Sequence, residues 1–364
     1  MLIEDIIRYL EKIFPPFYAE NFDNTGLLIG DKDRIASGVL VTHDVTSKVL
    51  DEAIRTDKNL IVSFHPIIFK GLKSITGRNY VERIVLKAIK NDIAIYSPHT
   101  AMDNHYRGVS DLTAHALGLT ERKVLIPKSG SLMQLITYAP HDQAEQVRQA
   151  LFSAGAGKIG EYDECSFNIK GKGTFRPSAN ANPYTGQKGT RHVEPETRIS
   201  VVFPAHLQSA VTKAMIHAHP YEEPAYEILS LQNPNPETGL GSLGKLPSPM
   251  GPENFLKHVK KILKTPVLRH SALTKKNVET VAILGGSGAF AIDYAMAAGA
   301  DAFISGDLKY HDFFKAEGKM LIIDAGHYES ERFVADELVR IISEKFPNFA
   351  VSKTQIQTNP INYT

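Results

Sequence analysis

GVLVTHDVTSKVLDEAIRTDKNLIVSFHP, residues 38–66, decides the fold. Its opening, GVLVTHDV, is mostly apolar, and so is LIVSF at 60–64. Between them Val49, Leu50, Ala53 and Ile54 recur at helical spacing. A buried strand, an amphipathic helix and a second buried strand form a βαβ unit. Its strands carry continuous apolar runs rather than alternation because helices cover both sheet faces.

The same rhythm extends outward. Before this unit, Ile3, Ile6, Ile7, Leu10, Ile13 and Phe14 mark a helix stopped by Pro15-Pro16, and DNTGLLIGD (23–31) reads as a turn-rich loop. After it, Val81, Ile84, Val85, Ala88 and Ile89 mark a helix, and IAIY (93–96) is a strand leading into SPHTAMD. Near Pro127 the pattern changes to strand MQLITYA, helix HDQAEQVRQALFSAG, strands SFNIKGKGTF and TRISVVF, helix PAHLQSAVTKAMIHA and strand YEILSL. That βαββαβ order suggests a ferredoxin-like module, closed by the Pro- and Gly-rich stretch at 233–252. Alternation then resumes: VAIL into GGSG, DAFISGD into Lys309-Tyr310-His311, and MLIIDAGH into a helix with Phe333, Val334, Leu338, Ile341 and Ile342. The expected fold is therefore α/β, a mostly parallel sheet with helices on both faces plus an inserted α+β domain. The expected boundaries are 1–126 and 239–364 for the two halves of the larger domain, and 127–238 for the insert.

Bulk composition narrows function. The chain has 364 residues, more than one ordinary core holds. It has 41 basic against 40 acidic residues and a net charge of +1, so nothing in the charge balance indicates a nucleic-acid or membrane partner. No apolar run approaches the roughly 20 residues of a membrane span, and the first residues lack the features of a signal peptide. The single cysteine, Cys165, rules out an intrachain disulfide and suits a reducing cytoplasm. A metal site here must draw on His, Asp and Glu, which favours zinc, iron, manganese or magnesium.

The polar residues that stand out follow the apolar strands, where open parallel sheets bind ligands. LIVSF delivers His65, and IAIYSP delivers His99 and then Asp103. AFISGD delivers Asp307 and leads to His311. LIID delivers Asp324 and His327, with Glu331 four residues later on the same helical face. Singly, each has an ordinary reading: a surface His–Glu pair, a helix cap, a solvated histidine. Together they suggest a metal centre built from His65, Asp103, His327 and Glu331. GGSG (285–288) reads as a tight strand-to-helix turn more readily than as a phosphate cradle, since the Lys-Ser/Thr of a P-loop is absent. AHPYEEPAYEIL (218–229) reads as a rigid turn more readily than as a second metal site. No nucleophilic-serine elbow or dinucleotide fingerprint is present.

DNTGLLIGD, FHPIIF, PHTAMDN, SGDLKYHD and DAGHYESE, in this order, resemble the Nif-three-like dinuclear metal-centre family, many of whose members carry the name GTP cyclohydrolase 1 type 2 homologue. The resemblance covers nearly the whole chain, and the insert is similar to the trace-metal-tolerance, or PII-like, module of the longer bacterial members. It implies one or two divalent ions per subunit, a homohexamer, and a hydrolase in which a metal-activated water attacks a purine nucleotide ring. Rival readings are a metal-dependent phosphoesterase and a metal-binding regulatory protein without turnover. By motif, His65, Asp103, His327 and the bridging Glu331 fall on metal positions, and His99 and His311 on nearby polar positions that support the ligands or face a substrate, either of which could carry protons. The family's first histidine of its His-His-Pro is Phe64 here, which cannot ligate. His43, near the end of the preceding strand, is the candidate to supply the missing nitrogen.

Overall fold

A computed structural model describes residues 1–274 and 276–364. It contains two compact units, Lys128–Asn235 and the remainder, Met1–Pro127 with Pro236–Thr364.

The larger unit holds two mixed sheets. In the first, strands Val39–Thr42, Leu60–Ser63 and Ala94–Ser97 run parallel. Gly26–Ile29 adds an antiparallel edge beside Ala94–Ser97, and Val351–Lys353, from the end of the chain, adds a parallel edge beside Val39–Thr42. Alternate residues explain why all of them are apolar. Val39, Val41, Leu60, Val62 and Tyr96 pack on one face against Ile3, Ile6 and Leu10 of the helix Ile3–Ile13 and Leu338 and Ile342 of the helix Val334–Lys345. Leu40, Ile61 and Ile95 pack on the other against Val49 and Leu50 of the helix Ser47–Arg55 and Ile84 and Val85 of the helix Tyr80–Lys90. Thr46 and Asn79 cap those two helices by accepting the N–H groups of Val49 and Glu82.

The second sheet repeats the scheme. Strands Val278–Ser287, Ala302–Gly306 and Leu321–Asp324 are parallel. Asn235–Met250 and the short Arg269–His270 pair with them antiparallel, and Thr120–Lys128 forms an edge. Val281, Ile283, Ile304 and Ile323 bury against Phe255 and Val259 of the helix Pro252–Ile262, while Phe303 and Ile322 bury against Ile292 and Ala295 of the helix Ile292–Ala297.

Two expectations change. The single, mostly parallel sheet is two mixed sheets, because each parallel core is finished by antiparallel edges. The Pro- and Gly-rich stretch near 233–252 is in large part a strand; its register shifts between Lys245 and Met250, where Pro247 and Pro249 lack the N–H that a regular ladder requires.

In the smaller unit the elements run Leu132–Pro140, Ala144–Ser153, Phe167–Phe175, His192–Pro204, Gln208–Ala218 and Tyr226–Leu231, the βαββαβ order. The sheet is antiparallel, with Leu132–Pro140 between Tyr226–Leu231 and His192–Pro204, and Phe167–Phe175 at one edge. Among the described residues no helix is long and apolar enough to cross a membrane.

Leu338 is fully buried beneath the first sheet. Leu338→Ala is expected to lower stability by about 2–5 kcal/mol, read as a lower urea midpoint, with an unchanged midpoint contradicting this packing.

Candidate metal centre

The site is built from strand ends. His43 follows Val39–Thr42, and His65 follows the neighbouring parallel strand after Phe64. The N–H of His65 donates to the His43 carbonyl at 3.0 Å, so the pairing continues past both strands and sets the two residues side by side. His327 and Glu331 arrive from the other sheet. The strand Leu321–Asp324 ends, Gly326 turns with φ +95°, and the short helix His327–Glu331 brings both side chains back on one face.

These four side chains meet. Nε2 of His43, His65 and His327 lies 3.0, 3.4 and 3.3 Å from Oε2 of Glu331. Nε2 of His65 and of His327 are 3.4 Å apart. Nδ1 of His65 lies 2.8 Å from Oδ1 of Asp44, and Nδ1 of His327 lies 2.7 Å from Oδ2 of Asp307. A carboxylate at Nδ1 keeps the proton on that nitrogen and turns the Nε2 lone pair toward the centre, the usual support of a metal-binding histidine. His99 repeats the device: its Nδ1 is 2.7 Å from Oδ1 of Asp23, and its ring stands edge-on to His65 with centroids 5.3 Å apart. His99 also holds φ +30°, a conformation unusual for a side chain of its size. Asp23 is fixed in turn by the N–H of Thr100 at 3.1 Å.

The charges are unbalanced in a way that invites a cation. Burial opposes the charged form of His65, but hydrogen bonds with Asp44 and Glu331 push its pKa up to about 10. Burial acts likewise on His327, and Glu331 and Asp307 push it up to about 9. Burial and then the charge of Glu331 hold the carboxyl of Asp103, at the end of the helix His99–Asp103, well above the carboxylate range. Glu331 goes the other way: burial disfavours its charge, yet hydrogen bonds with His327, His43 and His65 hold it well below that range. Two imidazole lone pairs facing each other beside a buried carboxylate need positive charge among them, as protons or as a divalent ion. Imidazole nitrogens and carboxylate oxygens without thiolate are donors that suit zinc, iron or manganese.

His65, His327 and Glu331 are thus brought together, and the Asp103 carboxyl feels the charges of all three. His43 joins them, whereas Phe64 is fully buried with its ring stacked on that of His43. His311 is not part of this group among the described residues. It is exposed on the 3-10 segment Tyr310–Ala316, its ring against Tyr310 and Phe314, because that segment turns outward after Asp307. Asp23, Asp44 and Asp307 orient the histidines, and the sequence signals them weakly: that for Asp44 is its place directly after His43.

GGSG proves to be close approach rather than a phosphate cradle. The N–H groups of Gly285 and Gly286 donate to the hydroxyls of Ser110 and Ser330 at 3.2 and 3.0 Å. Gly286 has φ +67°, and a Cβ there would stand 2.3 Å from Oε1 of Glu331. In the smaller unit, His219 is also occupied, with Nε2 3.0 Å from the Tyr138 carbonyl and Nδ1 accepting the Tyr221 N–H at 3.1 Å, which pins the turn between the helix Gln208–Ala218 and the strand Tyr226–Leu231.

The fold and site define an α/β protein with a buried histidine–carboxylate cluster suited to divalent cations. The chain belongs to the Duf34/NIF3 (NGG1p interacting factor 3) family, whose sequence profile matches residues 1–360. It is 39% identical over 368 residues to a protein of Bacillus subtilis named GTP cyclohydrolase 1 type 2 homolog, covering 99% of this chain and 98% of that one. A Halalkalibacterium halodurans protein of the same name is 38% identical over 365 residues, covering 99% and 98%. Among solved structures, a Bacillus cereus protein related to NIF3 superposes with a TM-score of 0.88 at 37% identity, covering 100% of this chain and 99% of that one. Staphylococcus aureus protein SA1388 superposes with a TM-score of 0.79 at 29% identity, covering 100% and 99%.

Two outcomes follow from this geometry. Gly286→Ala forces a side chain into the left-handed region, at about 1–2 kcal/mol, and drives it into Glu331, so cation affinity is expected to fall at least about tenfold. Calorimetric titration with the fold checked by circular dichroism reads this, and parent-like affinity would refute the close approach. Second, pKa values of about 10 and 9 for His65 and His327, both above the ordinary 6.5, mean that the metal-free protein binds more protons folded than unfolded across that interval. Their stabilisation is complete below about pH 6.5 and is lost as pH rises through 9 to 10. In the presence of chelator, Tm should fall over pH 7–10; a rise across that window contradicts the assigned proton positions.

Proposed function

We propose that this chain is a metal-dependent hydrolase of the GTP cyclohydrolase 1 type 2 kind, with His65, Asp103, His327 and Glu331 holding one or two divalent ions. The observation that carries the reading is the approach of imidazole Nε2 atoms to one oxygen of Glu331, two of them with Nδ1 on an aspartate. A divalent ion supplies Lewis-acid polarisation and lowers the pKa of water.

The chain's own residues supply the rest. Asp44 and Asp307 fix the ring orientations of His65 and His327, so these donors are held in place in advance. Gly285 and Gly286 let the backbone come close enough to pin Glu331. His99, tied to Asp23 through Nδ1 and standing beside His65, is the group placed to accept and return a proton when a purine ring is opened by water. His311, exposed beside Tyr310 and Phe314, fits contact with the outer part of a nucleotide better than proton transfer at the centre.

We assign the ion-binding role to 1–126 with 239–364 and read 127–238 as an inserted ferredoxin-like, PII-like module. The working form is taken to be a cytoplasmic homohexamer, for which light scattering should give six times the 40.2 kDa chain mass. The decisive experiment is incubation of the full chain, loaded with zinc, manganese or iron, with GTP while formate and phosphate are both followed. Formate release supports the reading, and phosphate release alone makes the protein a phosphoesterase. Metal retained with neither product leaves a binding protein and overturns hydrolysis. Glu331→Gln is expected to lose the ion by elemental analysis, and retention at the parent level would remove the centre itself.

A further inference from the structure

We propose that His43 is a metal ligand of this centre, the imidazole that position 64 would otherwise supply having moved to the adjacent strand. The inference rests on the reading that the cluster holds a divalent ion. His43 and Phe64 are neighbours across parallel strands: Thr42 pairs with Ser63, and the Phe64 N–H donates to the Thr42 carbonyl at 3.0 Å. Their rings stack nearly parallel, 10° apart with centroids separated by 5.4 Å. The Phe64 ring also lies 5.0 Å from His65 and 5.6 Å from His99, so position 64 faces the same cluster but offers no donor. His43 offers one. Its Nε2 approaches Glu331 Oε2 to 3.0 Å, nearer than His65 or His327 does.

The rest of the His43 environment fits a ligand better than a structural histidine. The residue is 5% exposed, and its Nδ1 is buried without a hydrogen-bond partner among the described residues, 3.6 Å from Asp44 Oδ2. A core histidine kept for packing normally satisfies both nitrogens. Here the one well-placed nitrogen is aimed at the buried carboxylate, while a short movement of Asp44, which already holds His65, would reach the other. Phe64 then acts as an apolar wall that fixes the plane of the His43 ring. The donor set becomes three imidazoles and two carboxylates, counting Asp103, and it remains rich in nitrogen although residue 64 cannot contribute.

The competing role is that of a positioning residue which only hydrogen-bonds Glu331. Four full-length proteins separate the two: the parent, His43→Leu, His43→Gln, and the double variant His43→Leu with Phe64→His. Each is titrated with Co2+ and Zn2+ at pH 7.5, and the cobalt d–d bands are recorded. A ligand role predicts at least about a 100-fold weaker affinity and altered bands in His43→Leu, beyond most of the roughly 10–100-fold range for loss of a group that only orients a ligand. It also predicts the same loss in His43→Gln, whose amide can still donate to Glu331. The double variant is expected to regain affinity to within about tenfold, which shows that imidazole rather than folding is at issue. Parent-like affinity and bands in His43→Gln overturn the proposal while leaving the centre intact. A parent protein that binds neither ion overturns the underlying reading as well.

Discussion

A buried carboxylate with three imidazoles around it is the constraint on which the rest of this structure depends. Glu331 is 4% exposed and its pKa is held well below the carboxylate range, and a buried negative charge is costly unless opposite charge and hydrogen bonds surround it. The imidazoles of His43, His65 and His327 provide that surrounding, and aspartates behind two of them set which nitrogen faces inward. Removing any one group leaves a charge without its partner, so the stability of the cluster draws on all four side chains. Burial and then the charge of Glu331 raise the pKa of Asp103, whereas hydrogen bonds with the three imidazoles lower that of Glu331, so the charge of the cluster settles on Glu331.

The architecture exists to make that meeting possible. The segment from Leu321 to Lys353 crosses from one sheet to the other: its first strand lies in the second sheet, and its helix Val334–Lys345 and last strand belong to the first. His327 and Glu331 sit at the crossover, between two elements that are each locked in a core. Leu338 and Ile342 hold one side, and Leu321 and Ile323 hold the other. The cluster is therefore positioned by two apolar cores at once, which holds its side chains rigidly in place.

Much of this was legible before any coordinates. The strands 60–63 and 302–306 announce themselves by uninterrupted apolar residues, and the helices by spacing, because burial on both faces leaves no other pattern. The approach of His65, His327 and Glu331 was also legible in outline, since polar side chains that follow parallel strands are brought to the same edge of a sheet. The strand across Asn235–Met250 was not: three glycines and three prolines lie among its 16 residues, and it is held by pairing with Val278–Ser287 rather than by its own propensity. Asp23 and Asp44 were likewise obscured, because an aspartate in a turn-rich loop is the ordinary case and only its neighbour in space gives it another role.

The sequence by itself determined the α/β alternation, the order of the motifs and the supply of histidines and acids at strand ends, since each of these is written in residues close along the chain. Only the tertiary structure decided that the strands divide between two mixed sheets, that His43 comes within 3.0 Å of a residue 288 positions away, and that His311 turns outward. Those outcomes depend on strand order and on which faces pack together. They are set by the summed burial of distant apolar residues and leave no periodic trace near the residues they place.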